Sequence, residues 1–98
     1  MKTALIHHPI YQKHETGIGH PETPQRYAAV MEALRGDLAL WESLIEITPE
    51  KASKGLIQAV HSAQHFKRVE GAFENGLDRL DADTTVSIQS FDASLFAA

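Results

Sequence analysis

Residues 3–26 read TALIHHPIYQKHETGIGHPETPQR and contain, in order, a short apolar strand, a long loop and the start of a helix. Residues 3–7 are almost wholly apolar, which is typical of a parallel strand buried on both faces. Thr23 is placed as the helix N-cap and Pro24 as the first helical residue, where a missing N–H costs nothing. Strand, loop and helix form the first half of a βαβ unit, so the sequence predicts an α/β fold.

The remaining apolar periodicity and capping residues predict a few further elements. They are a first helix with Tyr27, Val30, Met31 and Leu34 on one face, ending at Gly36; a strand over residues 44–48; helices capped by Ser53 and Ser62 that reach about residues 60 and 75; a polar loop over 77–87 with an extended piece at 84–86; and a helix capped by Ser90 that continues through 98. This last helix has no stop signal and the sheet has at most three strands. We therefore expect residues 1–98 to be one N-terminal segment of a single larger domain.

The composition sets limits on partners and location. With 98 residues, 43% of them hydrophobic and 22% charged, the chain suits one domain. The absence of cysteine excludes disulfides and thiolate metal sites, and favours the cytoplasm. A net charge of -4 argues against nucleic acid as a partner. The N-terminal residues match neither a signal peptide nor a membrane span, so no membrane partner is expected.

Two histidine pairs are candidate ligands. His7 and His8 follow the first strand, but adjacent strand residues point to opposite faces, so we favour a structural role over shared metal binding. His61 and His65 have the four-residue spacing of H-E-x-x-H metalloproteases. Ser62 stands in place of the catalytic Glu, and as a helix cap it leaves His61 outside the helix. We interpret this second pair as packed or surface histidines.

The loop over residues 14–26 has a high density of side chains that can bind a ligand or take part in a reaction. Gly17 and Gly19 resemble the start of a dinucleotide fingerprint, but Pro21 and Glu22 replace the first helical turn that a phosphate site needs. The glycines instead predict positive φ and a close approach of the backbone to another group. Such a loop is either a functional rim or a solvated connector, and its composition favours function.

Asp81, Asp83 and Asp92 form a late group of acids. Two carboxylates two positions apart suit a divalent cation, but the glycine and closing Glu of an EF-hand are absent. From these residues alone, we interpret the segment as a solvated acidic turn.

The order of the motifs resembles the histone deacetylase superfamily, particularly its bacterial amidohydrolase-like and class II members. HHPIYQKHETGIGHPETPQRYAAVMEAL, at 7–34, is similar to the N-terminal signature of that family. AVHSAQHFKRV, at 59–69, and DADTTVSIQSFDASLFAA, at 81–98, follow where the family has its later N-terminal landmarks. His65 departs from the pattern, because the family usually has Tyr there.

This resemblance implies part of an arginase-deacetylase three-layer α/β/α sandwich with a parallel sheet, incomplete in this chain. Family members hydrolyse the amide of an acetylated lysine peptide or acetylpolyamine, using zinc to activate water and a tyrosine to stabilise the oxyanion. The family's zinc ligands, tandem histidines and tyrosine have no counterpart here. We expect no catalytic residue and no metal ligand in this segment, with zinc bound only by a full-length family member.

The resemblance also implies substrate-binding roles. His20 and Pro21 correspond to the mouth of the substrate tunnel, and Arg26 to a position near the acetate exit channel. Asp83 corresponds to an acid that grips the substrate backbone, with Thr84 in its place if the alignment shifts by one. A carboxylate accepts backbone N–H bonds, and a guanidinium binds a carboxylate product in bidentate fashion.

The alternative hypothesis is a catalytically inactive, stand-alone interaction module. Phe91, Leu95 and Phe96 lie on the last helix and need cover from a partner or second copy. Exposed sheet edges and apolar patches favour self-association, so this alternative predicts a homodimer.

Overall fold

A computed structural model describes all 98 residues of the chain. Its elements, in chain order, are β1 (Thr3–Ile6), a 3-10 helix (Pro9–Lys13), α1 (Pro24–Gly36), α2 (Leu38–Ser43), β2 (Leu44–Ile47), α3 (Lys54–Gln58), α4 (Ala63–Glu74), β3 (Arg79–Asp81), β4 (Thr84–Thr85) and α5 (Ser90–Ala97). Helices alternate with strands along the first half of the chain. The predicted α/β class is confirmed.

β1 and β2 form a parallel two-stranded sheet. Their register pairs Thr3 with Leu44 and Ile6 with Ile47. The carboxyl ends of the two strands lie at one edge of the sheet, and the 3-10 helix and the loop leave β1 from that edge. The predicted burial of β1 on both faces is wrong for this chain, since Ile6 is 58% exposed. A sheet of only two strands leaves both outer edges uncovered.

The helix predicted after the loop begins at Pro24, as expected. Thr23 is its N-cap residue, but the Thr23 side chain makes no capping hydrogen bond. On the predicted apolar face, Met31 is buried while Val30 is 57% exposed. The helix therefore buries a narrower stripe than its sequence predicts. Its last residue is Gly36 and its C-cap is Asp37.

Serine caps are correctly predicted for two of three helices. Ser53 Oγ accepts a hydrogen bond from the Leu56 N–H at 3.2 Å, and Ser62 Oγ accepts one from the His65 N–H at 3.1 Å. Ser90 is not a cap, because it is the first residue of α5 and Gln89 precedes it as the N-cap. The Ser90 hydroxyl is engaged in a side-chain network described below.

Three elements were not predicted from the sequence. They are the 3-10 helix, α2 and β3. The extended piece predicted over residues 84–86 contains β4, but its antiparallel pairing with β3 was not predicted. α2 begins immediately after α1, and the Asp37 carboxylate caps it by accepting from the Leu40 N–H at 3.0 Å. The hairpin replaces most of the predicted loop over residues 77–87.

The core is small and the molecule is flat. Seven of the 98 residues are buried, and five of those are hydrophobic. The aromatic contact between α4 and α5 centres on Phe91, whose ring centroid lies 5.9 Å from that of Phe66 and 5.4 Å from that of Phe73. The molecule measures 45 × 34 × 16 Å. None of its helices combines the length and apolarity that crossing a membrane requires.

Candidate functional site

Two glycines set the path of the loop between the 3-10 helix and α1. Gly17 has φ 94° and Gly19 has φ 80°, as the sequence predicts for a segment that side-chain-bearing residues adopt with difficulty. A Cβ atom at either position would meet no atom within 4 Å. The glycines are therefore required by backbone conformation, and the predicted close approach to another group is wrong within this chain.

His20 connects the loop to the β3–β4 hairpin through both ring nitrogens. The Glu22 N–H donates to His20 Nδ1 at 3.1 Å, so Nδ1 is the unprotonated nitrogen. His20 Nε2 then carries the proton and donates to the Asp83 carbonyl at 3.1 Å. Two of the predicted substrate-binding residues, 63 positions apart in sequence, are in direct contact.

Asp83 lies in the hairpin, and its own carboxylate is free. The Asp83 N–H donates to Asp81 Oδ1 at 3.0 Å, and its carbonyl accepts from His20, but its side-chain oxygens have no protein partner. The Thr84 hydroxyl lies beside the Asp81 carboxylate and, together with the Asp83 N–H, lowers the Asp81 pKa. Thr84 is thus engaged within the hairpin. Of the two candidates, Asp83 has the available acceptor atoms.

A second junction fastens the other end of the loop. Ser90 Oγ accepts from the Ser87 N–H at 2.7 Å and lies 2.7 Å from His14 Nδ1. Ser87 Oγ accepts from the Glu15 N–H and donates to the Lys13 carbonyl, each at 3.0 Å. No local sequence signal indicates this junction, because its partners are 72 to 76 positions apart.

The same junction contains the three residue types of a nucleophilic triad, an acid, a histidine and a serine, in contact in that order. Glu22 Oε1 lies 3.7 Å from His14 Nε2, and His14 Nδ1 contacts the Ser90 hydroxyl. Ser90 is only 2% exposed, however, so no substrate reaches its oxygen. The acid, histidine and serine here hold the loop against α5 and do not form a nucleophile.

Arg26 borders an open pocket of about 510 Å³ between the loop, α1 and α5. The pocket is lined by Tyr11, His14, Glu22, Thr23, Pro24, Arg26, Tyr27, Val30, Ala93, Ser94 and Ala97. None of the four salt bridges of the chain involves Arg26, so its guanidinium is available to an anion. Glu22 lines the same pocket, and its carboxylate repels an incoming anion. Pro21 is exposed beside His20 and does not line this pocket.

Tyr11 gives the pocket a neutral hydroxyl. Its O–H donates to the Phe96 carbonyl at 2.9 Å, which ties the 3-10 helix to α5. Burial, and the neighbouring Tyr27 phenol, raise the Tyr11 pKa above its ordinary value. The side chain therefore stays protonated and supplies no charge to the pocket.

His7 and His8 have separate partners, as the strand geometry predicts. His7 Nδ1 lies 2.9 Å from the Tyr27 hydroxyl and Nε2 lies 2.9 Å from Glu46 Oε2. His8 Nδ1 accepts from the Ile10 N–H, and the His8 ring stacks on Phe96 at 4.3 Å. Each of the two rings thus makes structural contacts of its own, and the two share no partner.

The side chains present do not fit the zinc site that the resemblance implies for a full-length protein. The chain brings together no group of three or more His, Cys, Asp or Glu side chains that suits a metal ion. The Asp92 carboxylate is paired with Lys51, whose Nζ lies 2.9 Å from Asp92 Oδ1. Any chemical step that needs a three-ligand zinc centre requires residues outside these 98.

Comparisons with known proteins cover almost all of the chain. No protein-family model matches it. A protein named "Probable deacetylase" from Archaeoglobus fulgidus is 33% identical over 100 residues, a match that spans all of this chain and 27% of that protein. An uncharacterized protein from Synechocystis is 34% identical over 98 residues, spanning 96% of this chain and 32% of that protein.

A solved structure has the same fold. The crystal structure of the HDA15 HD domain superposes with a TM-score of 0.84 at 20% identity, covering 99% of this chain and 29% of that one. The chain is deacetylase-like in sequence, and it has the fold of the HDA15 HD domain. The deacetylase-like chain spans about a quarter to a third of the length of the proteins it matches.

Proposed function

We propose that this deacetylase-like chain is the N-terminal part of a zinc-dependent deacetylase domain that hydrolyses acetyl-lysine or acetylpolyamine amides. In this proposal it supplies the rim of the substrate tunnel and not the catalytic metal site. The observation that carries the proposal is the contact between His20 and the Asp83 carbonyl. It joins the loop and the hairpin to which the resemblance assigns substrate binding.

At the rim, the Asp83 carboxylate is the group proposed to bind the substrate. Its oxygens have no protein partner, whereas its N–H and carbonyl are held by Asp81 and His20. A fixed backbone with a free carboxylate suits an acceptor for the N–H groups of an extended substrate chain. Pro21, exposed next to His20, would form the adjoining wall.

At the open pocket between the loop, α1 and α5, the exposed Arg26 is proposed to receive the acetate product. The pocket that it borders is large enough for a small carboxylate, and the guanidinium has no competing salt bridge. Arginine binds carboxylates through two parallel N–H bonds, which suits acetate better than a neutral amide. The neutral hydroxyl of Tyr11 adds a polar wall without charge.

The test uses the polypeptide encoded by the full reading frame that contains these residues. We expect it to release acetate from an acetyl-lysine peptide or acetylpolyamine, and to lose that activity with a chelator. Absent or chelator-resistant activity would contradict the proposal.

Asp83→Asn in that polypeptide tests the rim directly. Loss of a charge-assisted hydrogen bond, about 1.5–3 kcal/mol, is expected to lower kcat/KM by about 10- to 100-fold. Asp78→Asn is the matched control, since Asp78 precedes the same hairpin but only approaches Arg79, at 3.5 Å, in an exposed ion pair. Equal activity of both variants would remove Asp83 from the site.

The second candidate function is a self-associating module without activity. The observation that favours it is the open parallel sheet, in which Ile6, Ile45 and Ile47 are 44–58% exposed. An uncovered edge with apolar side chains pairs readily with another copy. The two candidates differ in a simple respect, because only the first predicts chelator-sensitive turnover by the longer polypeptide.

A further inference from the structure

The six histidines divide into two groups by their ring contacts. His7, His8, His14 and His20 each have a ring nitrogen hydrogen-bonded within the chain. His61 and His65 have no hydrogen bond to either ring nitrogen, and both residues are exposed. These two are the only imidazoles of the chain whose nitrogens are all free for a ligand.

The two free histidines lie next to each other where the chain enters α4, with His61 just before the helix and His65 in its first turn. The His61 N–H donates to the Ile57 carbonyl at 2.9 Å, and the His65 N–H donates to Ser62 Oγ at 3.1 Å. Both backbones are therefore fixed at a helix turn. The ring centroids are 5.1 Å apart, with 32° between the ring planes.

This spacing matches two imidazoles that share one metal ion. Rings bound through nitrogens about 2.0–2.1 Å from a tetrahedral ion have centroids about 5 Å apart. Both side chains are exposed, so packing does not restrict rotation about their own bonds. The negative net charge of the chain, -4, also favours a cation.

We propose that His61 and His65 form a two-histidine chelate for a divalent transition-metal ion. Neutral imidazole suits Cu²⁺, Ni²⁺ and Zn²⁺, whereas Mg²⁺ and Ca²⁺ prefer oxygen ligands. Water completes the coordination shell, because the chain supplies two ligands there. The order of divalent affinities places Cu²⁺ first. This site does not depend on the proposed deacetylase function.

The experiment is a calorimetric titration of the 98-residue chain with Cu²⁺, Ni²⁺, Zn²⁺ and Mg²⁺. We expect one Cu²⁺ per chain, weaker Ni²⁺ and Zn²⁺ binding, and no Mg²⁺ binding. His61→Gln and His65→Gln are each expected to lower the Cu²⁺ affinity by more than about tenfold, the smallest loss typical of removing even an outer-shell partner. Circular dichroism checks that these exposed substitutions leave the fold unchanged.

A composition-matched control distinguishes the effect of the His61–His65 pair from the effect of the number of histidines in the chain. The double variant H65Q/K67H keeps six histidines but places the second one six positions from His61, on another face of the helix. It is expected to bind Cu²⁺ as weakly as His65→Gln. Wild-type affinity in this control, or in either single variant, would overturn the proposal.

Paramagnetic broadening locates the ion independently. Substoichiometric Ni²⁺ should broaden the NMR signals of residues 61–65 before all others. Broadening centred on the N-terminal amine, His14 or His20 would overturn the assignment.

Discussion

At the scale of single residues, His20 has the clearest structural role in the proposed rim. Its two nitrogens hold the Glu22 N–H and the Asp83 carbonyl, so one side chain orders both the loop and the hairpin. His20→Phe keeps a ring of similar shape and removes both bonds. Each lost bond costs about 1 kcal/mol, so the free energy of unfolding should fall by about 1–2 kcal/mol.

Hydrogen exchange provides the measurement for His20→Phe. Amides of residues 83–85 are expected to exchange faster than in the wild type, with α4 unchanged. His61→Phe in metal-free buffer is the matched control, since the His61 ring makes no hydrogen bond. Similar exchange in both variants would show that the His20 contact does not stabilise the hairpin.

Asp81 makes the hairpin sensitive to acid. The Thr84 hydroxyl first, and then the Asp83 N–H, hold the Asp81 pKa below its ordinary value of 3.8. Between these two pKa values the unfolded chain binds more protons than the folded one, so stability rises with pH in that interval. The contribution of the Asp81 carboxylate to stability is complete above pH 3.8, and it is lost as the pH falls through the pKa of Asp81 in the folded chain.

An acid titration followed by NMR tests this dependence. The wild-type β3–β4 signals should shift below pH 3.8 along with the Asp81 carboxyl signal. Asp81→Asn should abolish that common transition. If the Asp81→Asn variant kept the wild-type acid transition, that transition would belong to another carboxylate. Asp83 is the nearest one in sequence.

At the scale of secondary structure, two helices have N-caps of different quality. Ser62 caps α4 through its hydroxyl, whereas the Thr23 hydroxyl makes no capping bond to α1. Ser62→Ala should therefore lower the free energy of unfolding by about 1 kcal/mol. Thr23→Ala, the matched control, should cause a much smaller change. Urea denaturation measures both, and equal losses would contradict the assignment of caps.

Helices and strands were predictable where caps and apolar periodicity agree. α4 is an example, since Ser62 starts it and Gly76, at φ 66°, lies just beyond its end. The extended piece predicted over residues 84–86 contains β4, but β3 and the hairpin pairing were missed because the strands are short and polar, and the turn lacks the Asn-Gly or Asp-Gly signal of tight hairpins. Only packing against the rest of the chain selects strands so short.

Candidate site residues were predictable one by one, but most of their contacts were not. The sequence resemblance identified His20 and Asp83, yet nothing local indicates a bond across 63 positions. Ser90 shows the same limit. Its sequence context suggests a helix cap, whereas tertiary packing directs its hydroxyl to His14. Side-chain partners depend on which elements pack together, and local propensity does not encode that.

At the scale of the whole molecule, the chain is unusually thin. Its radius of gyration is 15.6 Å, against about 13 Å for a compact domain of about 100 residues. Packed layers stack about 10 Å apart, so a thickness of 16 Å accommodates two layers and not three. The open sheet leaves Ile6, Ile45 and Ile47 uncovered.

This exposure predicts self-association of the isolated chain. Sedimentation velocity at high protein concentration should detect a dimer, and Ile45→Lys should shift the population to monomer because a charge disfavours edge pairing. Leu56→Lys is the control, since Leu56 is 67% exposed but lies on α3. A folded wild-type monomer at every concentration would contradict the prediction.

The long-range hydrogen bonds of the loop also determine when it adopts its conformation. Lys13, Glu15 and His20 are held by Ser87 or Asp83, between 63 and 74 positions later in the chain. At about 5–20 residues per second, a ribosome needs about 3–15 s to add that length. Throughout this interval the loop lacks these long-range contacts and keeps only its internal hydrogen bonds, so it is exposed to chaperones and proteases during biosynthesis.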